Sequence, residues 1–134
     1  MRTDAPPACP ARAGGAGRGH AYARGLAGEA RAADLLERLG FVILARRART
    51  PAGEIDLIAR RGDLLVFCEV KVRATLVLAA EAVRPRQRQR IAAAAAAFLA
   101  DCPELNDLDM RFDVVLVSTA GEIDHLPGAF DAGS

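Results

Sequence analysis

Several features that would assign the chain to a familiar class are scarce or absent. Among 134 residues there is no tryptophan, one tyrosine and five phenylalanines, and much of the apolar fraction is alanine. The three cysteines are odd in number and lack metal-ligand spacing, so no zinc site is expected. No apolar run approaches the roughly 20 residues of a membrane span, and the N-terminus lacks the apolar region of a secretion signal. The sequence therefore predicts a cytoplasmic protein without membrane association.

The charge is balanced overall but unusual in kind. The formal net charge is +1, so nothing global indicates a nucleic-acid or membrane partner. The chain carries seventeen arginines and a single lysine, Lys71. Because arginine is permanently protonated whereas lysine can shift its pKa, an ammonium group kept at this one place indicates a specific role. The plain alternative is a surface lysine on an edge strand.

The length of the chain predicts one domain with a modest core. Residues 1–20 are rich in Ala, Pro, Gly and Arg without any period, and are predicted to form a disordered leader. Residues 21–134 are predicted to form the folded domain. The few positive charges of the leader suggest no more than a tail that weakly attracts phosphate.

Two neighbouring stretches combine a strand pattern with charged residues. Gly53–Ala59 and Leu65–Arg73 both alternate as half-buried strands do, and a glycine between them supplies a turn. Asp56 lies in the first stretch, and Glu69 and Lys71 lie in the second. Residues two apart in a strand point to the same face, so Glu69 and Lys71 project together.

The register of the hairpin decides whether Asp56 shares that face. A two-residue loop at Gly62-Asp63 places Asp56 directly opposite Glu69, with Cβ atoms roughly 5 Å apart. A two-residue loop at Arg61-Gly62 places it opposite Phe67, one diagonal step from Glu69 and about 7–8 Å away. A three-residue loop without a bulge would put the two carboxylates on opposite faces. In the first two cases their mutual repulsion favours a hard divalent cation between them.

A third acidic residue is predicted on a helix that precedes these strands. Tyr22 to Leu39 has a helical pattern, and Glu29 falls in the middle of its apolar stripe. Glutamate rarely occupies a buried face unless it is paired or bound to a ligand. Glu29 is therefore a candidate third carboxylate aimed at the sheet; the alternative is an ion pair with an arginine such as Arg46.

Arginines flank the predicted carboxylate site on several sides. A short apolar strand, Phe41 to Ala45, is followed by a predicted basic loop that contains Arg46 and Arg47 and could hold a polyanion. Arg73 ends the strand of Glu69, on the same face as Lys71. Residues 74–83 show no clear period and are predicted to form a loop or a frayed helix.

A second helix is predicted from Pro85 to about Ala100. Gln87 lies at the N-terminal end of its buried stripe, flanked by Arg86 and Arg90. A helix N-terminus with an amide and arginines can receive a phosphate, although solvated arginines are an equally good interpretation of each residue alone. A buried strand from Arg111 to Ser118 and a last edge strand after it complete the predicted elements.

The predicted order is helix, three strands, helix, strand, which indicates the α/β class. Two carboxylates that bind Mg²⁺ or Mn²⁺, a neighbouring ammonium and flanking arginines form the minimum apparatus for phosphodiester hydrolysis. Asp56 and Glu69 are the predicted metal ligands. Glu29 and Lys71 join them as candidate catalytic residues.

These segments resemble a known family. Asp56 followed by Glu69-Val70-Lys71 looks like the PD-(D/E)xK motif of the restriction-endonuclease-like superfamily. More closely, four segments are similar to the YraN-type family of uncharacterised bacterial proteins: Gly28-Glu29, Gly53–Ala59, Val66–Arg73 and Arg111–Val115. The resemblance implies a restriction-endonuclease-like core, similar to that of archaeal Holliday-junction resolvases, with a mixed sheet covered by helices on its faces.

The leading hypothesis is a divalent-metal-dependent endonuclease that hydrolyses DNA phosphodiester bonds, on branched or damaged DNA, in repair or recombination. One alternative is a non-catalytic nucleic-acid-binding module on the same scaffold. Another is a small structural protein whose acids and arginines merely pair. Because the net charge is weak, we expect a homodimer, or a partner that adds basic surface, if DNA is the ligand.

Overall fold

The computed structural model describes residues 19–130, with side chains described from residue 26 onward. The predicted leader lies outside these residues except for its last two positions. The elements in chain order are α1 (Gly19–Arg38), β1 (Val42–Thr50), β2 (Gly53–Arg61), β3 (Leu64–Arg73), α2 (Leu76–Glu81), α3 (Pro85–Asp101), a 3-10 turn (Pro103–Leu105), β4 (Asp109–Ser118) and β5 (Ile123–Phe130). Within this described part of the chain, no helix is both long and apolar enough to cross a membrane.

The five strands form one mixed sheet in the order β1-β2-β3-β4-β5. Neighbours are antiparallel except for β3 and β4, which are parallel and are joined by the crossover that contains α2 and α3. Helix α1 packs on one face of the sheet, and α2 and α3 pack on the other. The predicted class is therefore confirmed: the fold is α/β, with a restriction-endonuclease-like core of a mixed sheet between helices.

Each face of the sheet has its own core. On the α3 face, the Phe67 ring meets those of Phe98 and Phe112 at centroid distances of 6.1 and 5.7 Å. On the α1 face, small residues let the helix approach closely. A side chain on Gly28 would clash with Val72 of β3, so glycine sets the distance between α1 and the sheet. This close contact lies directly beside Glu29.

Two local features differ from the sequence pattern. The predicted basic loop after Ala45 is the second half of β1, because it pairs with β2 as an antiparallel edge strand. Leu26 is 39% exposed, although its spacing in the first helix places it on the apolar stripe. Of the two alternatives for residues 74–83, a loop or a frayed helix, the structure has a helix in part of the segment: α2, whose first turn is capped by Thr75 Oγ1 accepting the Leu78 N–H at 3.1 Å.

Asp113 of β4 is fully buried and anchors the edge strand β5. Its carboxylate accepts two hydrogen bonds from the Arg111 guanidinium at 2.8 and 2.9 Å, and one from the Gly128 N–H at 3.0 Å. His125 Nε2 lies 2.8 Å from its second oxygen, which gives this histidine a structural role that the sequence did not reveal. Burial alone would raise the pKa of Asp113, but these hydrogen bonds outweigh it and hold the pKa below its usual value.

Removal of this carboxylate should destabilise the protein in a pH-dependent manner. We expect Asp113→Ala to lower the free energy of unfolding at pH 7 by about 2–4 kcal/mol, because Arg111 and the Gly128 N–H lose their acceptor. A lowered pKa means that the unfolded chain binds the proton more readily. The stabilisation is therefore complete above the ordinary pKa of about 4 and is lost as the pH falls through the lowered value.

Urea unfolding from pH 7 to pH 3 measures this effect, with Asp124→Ala, an exposed position on β5, as the control. The difference between wild type and Asp113→Ala should shrink below about pH 4. A difference that stays the same at both ends of the range would contradict an ionised, hydrogen-bonded Asp113.

Candidate functional site

The β2–β3 hairpin brings Asp56 and Glu69 together. Leu57 pairs with Cys68, and the loop is the two-residue Gly62-Asp63, so one further step places Asp56 across from Glu69. Regular pairing stops there, and the Asp56 carboxylate accepts the Val70 N–H at 2.8 Å. The side chain of Asp56 thus replaces a backbone acceptor at the point where the two strands separate.

A rotation of β2 at Asp56 explains how acids from both faces of the sheet can meet. Ile55 belongs to the core on the α3 face, whereas Leu57 belongs to the core on the α1 face, although a regular strand would direct both to one side. Asp56 lies between them. Glu29 approaches from α1, and Glu69 extends from the α3 face, so the site lies where the sheet opens.

Glu69 and Lys71 form a buried ion pair on the central strand β3. Lys71 Nζ lies 2.8 Å from a carboxylate oxygen of Glu69, and the two side chains are only 10% and 6% exposed. A freely solvated lysine on an edge strand is therefore excluded. Because the ion pair is largely shielded from solvent, both charges interact more strongly with neighbouring groups than they would in water.

Glu29 pairs with Arg47 rather than with Arg46. Arg47 Nη1 lies 3.2 Å from both oxygens of Glu29, and its Nη2 lies 3.6 Å from Glu54. Arg47 lies across from Asp56 in the β1–β2 pairing, and its φ of +52° is the only positive value at a non-glycine position among residues 19–130. An arginine in this conformation costs on the order of 1–2 kcal/mol, so the strand is distorted to direct the guanidinium toward the acids.

This arrangement disfavours the ionised form of Asp56. Asp56 forms no salt bridge within the described part of the chain, in contrast to Glu29 and Glu69. Burial, and then repulsion from Glu69, raise the pKa of Asp56 well above its ordinary value, although the Val70 N–H opposes them. Burial also raises the pKa of Glu29, and Arg47 offsets part of that rise.

The donor set at this position suits a hard divalent cation held by few protein ligands. No three His, Cys, Asp or Glu side chains of the described residues are arranged as a complete metal cage. The available ligands are Asp56 and Glu69, whose repulsion a cation would relieve. Mg²⁺ is commonly held by one or two carboxylates, with water and substrate oxygens completing its coordination, and this pair fits that pattern.

The remaining predicted residues lie on β1, β3 and α3, which contact β2. Arg46, Arg73, Arg86 and Arg90 are exposed, and Gln87 is half-buried at the start of α3. The Arg90 side chain lies against the backbone of Gly53, so α3 is held close to the hairpin that carries Asp56. Arg47 differs from the others because its guanidinium is occupied by Glu29 and Glu54.

Comparison with known proteins now assigns the chain to a family. Residues 28–117 match the family described as Uncharacterised protein family UPF0102. The chain belongs to this family. The matched range of this UPF0102 protein includes Glu29, Asp56, Glu69 and Lys71.

Similar proteins cover most of the chain and most of their own length. A UPF0102 protein of Azorhizobium caulinodans is 60% identical over 111 residues, which is 83% of this chain and 85% of that protein. One from Rhodopseudomonas palustris strain BisB18 is 54% identical over 112 residues, covering 84% and 83%. One from Bradyrhizobium sp. strain BTAi1 is 52% identical over 114 residues, covering 85% and 84%.

Two features of the site were not apparent from the sequence. The role of Arg47 as the partner of Glu29 depends on the distortion of β1, and a run of arginines gives no signal for a left-handed residue. The Val70 N–H that binds Asp56 is a backbone group, and only the exact register reveals it. The one feature of the sequence that indicated an ion pair here was the excess of basic residues in β1 beside an acidic strand.

If the Asp56 charge is costly, neutralising it should stabilise the protein in the absence of metal. We expect Asp56→Asn to raise the melting temperature at pH 8 in EDTA by about 4 °C, or about 1 kcal/mol. The amide oxygen keeps the Val70 hydrogen bond, while burial and repulsion of the charge disappear. Because a raised pKa penalises the folded state only where the carboxyl ionises, the gain should vanish toward pH 4.

Calorimetry at pH 8 and pH 4 tests this prediction. Asp63→Asn, in the exposed loop of the same hairpin, is the matched control and should leave the melting temperature unchanged at both values. If Asp56→Asn instead lowers the melting temperature at pH 8, the carboxylate is a net stabilising group.

Proposed function

We propose that this UPF0102 protein is a divalent-metal-dependent endonuclease that hydrolyses DNA phosphodiester bonds, and that it acts in the cytoplasm in DNA repair or recombination. The observation that supports the proposal is the convergence of Asp56, Glu69 and Lys71 at the opening of one β-hairpin. Two carboxylates and an ammonium in a poorly hydrated hollow are the groups that hydrolysis of a phosphodiester requires.

The carboxylates are assigned to metal binding. Asp56 and Glu69 would hold Mg²⁺ or Mn²⁺. When bound, the ion supplies Lewis acidity that lowers the pKa of a water and polarises a phosphoryl oxygen. The Val70 N–H fixes the orientation of Asp56, and Arg47 holds Glu29 beside the pair, where Glu29 can accept a proton from a water.

Lys71 is assigned to the reacting phosphate. Its ammonium lies beside Glu69 in a nearly dry environment, so it can donate to the attacking water or to a non-bridging oxygen. A positive charge that is already in place stabilises the negative charge that develops in the transition state. An arginine would fit this role less well, because its planar guanidinium is larger and cannot act as a compact point charge.

Exposed arginines provide the binding surface for the DNA backbone. Arg46, Arg73, Arg86 and Arg90, together with the amide of Gln87, lie on elements that border the acidic hollow. The net charge of +1 is small for a DNA-binding monomer. A homodimer would double the basic surface, and its two sites would suit a branched substrate with two strands to cut.

One observation favours the second candidate, a non-catalytic nucleic-acid-binding module. Lys71 is already paired with Glu69, and Arg47 with Glu29, so most of the acidic charge is compensated without a metal. In such a module the ion pairs would hold the hairpin in shape, and the arginines alone would bind nucleic acid.

Cleavage of labelled linear, flapped and four-way-junction DNA in Mg²⁺ or Mn²⁺ distinguishes the two functions. We expect Asp56→Asn and Lys71→Met each to lower the cleavage rate by a factor of about 100 or more, because each removes a group that stabilises the transition state. Asp63→Asn is the control for the first variant. Lys71→Arg, which keeps the charge but not the compact ammonium, should also lower the rate.

Cleavage that survives both substitutions would refute the assignment of this site. Metal binding is followed separately by the melting temperature: Mg²⁺ or Mn²⁺ should stabilise wild type but not Asp56→Asn. Binding of DNA without cleavage in either metal would identify the protein as a binding module.

A further inference from the structure

An open recess adjoins the candidate active site on the α3 face. It has a volume of about 380 Å³ and is lined by Arg73, Leu78, Glu81, Ala82, Arg84 and Gln87. Arg73 lies two residues beyond Lys71 on β3, about 7 Å along the strand and on the same side of the sheet. A molecule in the recess would therefore be a neighbour of any phosphate held at Lys71.

One wall of the recess is apolar and exposed. Leu78 of α2 is 48% exposed, and the adjacent Val77 is 67% exposed. Thr75 caps this short helix. Single exposed apolar residues are common, but Leu78 lines a recess that Arg73 and Arg84 also line, and it offers a surface on which an unstacked base can lie.

Gln87, one of the residues that line the recess, carries an unsatisfied polar atom. The Oε1 of Gln87 is buried and has no hydrogen-bond partner among the described residues. Such an atom costs free energy unless a ligand supplies a donor. A nucleobase has N–H donors on its Watson–Crick edge, and these are available only when the base is unpaired.

The charges around the recess give such a ligand an orientation. Arg73 and Arg84 are exposed and can bind a backbone phosphate. Glu81 would repel a phosphate but can accept a hydrogen bond from an amino group of a base. The phosphate is therefore directed to the arginines, and the base to Leu78, Glu81 and Gln87.

We propose that this recess binds one unpaired nucleotide of a DNA substrate, next to the phosphodiester at Lys71. This inference rests on the proposed nuclease function and narrows it to DNA that contains a gap, a flap or a junction. A fully paired duplex cannot offer a base to the recess unless the base is first removed from the helix, which costs free energy.

Binding in EDTA tests the inference without any requirement for cleavage. Fluorescence anisotropy compares an uninterrupted duplex with the same duplex carrying a one-nucleotide flap, and 2-aminopurine at the unpaired position reports its environment. We expect wild type to prefer the flapped DNA at least about fivefold, in line with the contribution of stacking one base. Leu78→Ser and Gln87→Leu should each reduce that preference to below twofold, and Leu78→Ser should leave the duplex affinity unchanged.

Controls separate this effect from changes in folding or in charge. Leu126→Ser alters another exposed apolar residue, on β5, and should retain the full preference. Leu78→Ala is a second variant of the apolar wall in case Leu78→Ser folds poorly, and it too should reduce the preference. Arg73→Gln should weaken the binding of both DNAs, because a phosphate contact does not depend on pairing.

The outcomes distinguish this inference from the proposed function. If the wild-type protein cleaves DNA but binds flapped and uninterrupted DNA equally, the recess does not bind an unpaired nucleotide. The proposed nuclease function would still stand. A preference that is retained in both Leu78→Ser and Gln87→Leu would also refute it. A protein that binds neither DNA would refute both proposals.

Discussion

Repulsion between the carboxylates of Asp56 and Glu69 is the constraint on which the rest of the site depends. Two acids across an antiparallel pair would force the strands apart unless their charges were compensated. Lys71 compensates Glu69 within the same strand, and Arg47 compensates Glu29 from β1. Asp56 has no cationic partner among the described residues, and the Val70 N–H is the group that favours its ionised form. A divalent cation would therefore have its largest effect at that position.

The backbone of the sheet is distorted at two places in this arrangement. β2 rotates at Asp56 so that its flanking residues enter different cores, and β1 adopts a left-handed residue at Arg47. Each distortion brings a charged side chain, that of Asp56 or that of Arg47, to the acidic cluster. Local departures from regular geometry are typical of sites where function, rather than stability, determines the backbone.

The sequence predicted the central hairpin well because its apolar alternation is strong and Gly62 marks the turn. It left three loops open, two of two residues and one of three, since Gly62 fits a turn in each; the structure has the two-residue loop Gly62-Asp63, with a φ of +58° at Gly62. The second half of β1 was interpreted as a loop because an edge strand carrying Arg46 and Arg47 shows no apolar period. Helix α2 could not be distinguished from a loop because Val77 and Leu78 are exposed, so no buried stripe marks it.

The parallel pairing of β3 with β4 has a consequence for the order in which the protein folds. The two acids and the lysine belong to one hairpin with a two-residue loop, so their contacts close with little loss of chain entropy. β4 can join β3 only after the whole connection through α2 and α3 has been placed, which is a slow, non-local step. We therefore expect the charged cluster to assemble while it is still hydrated, and to lose its water only when the second half of the chain docks.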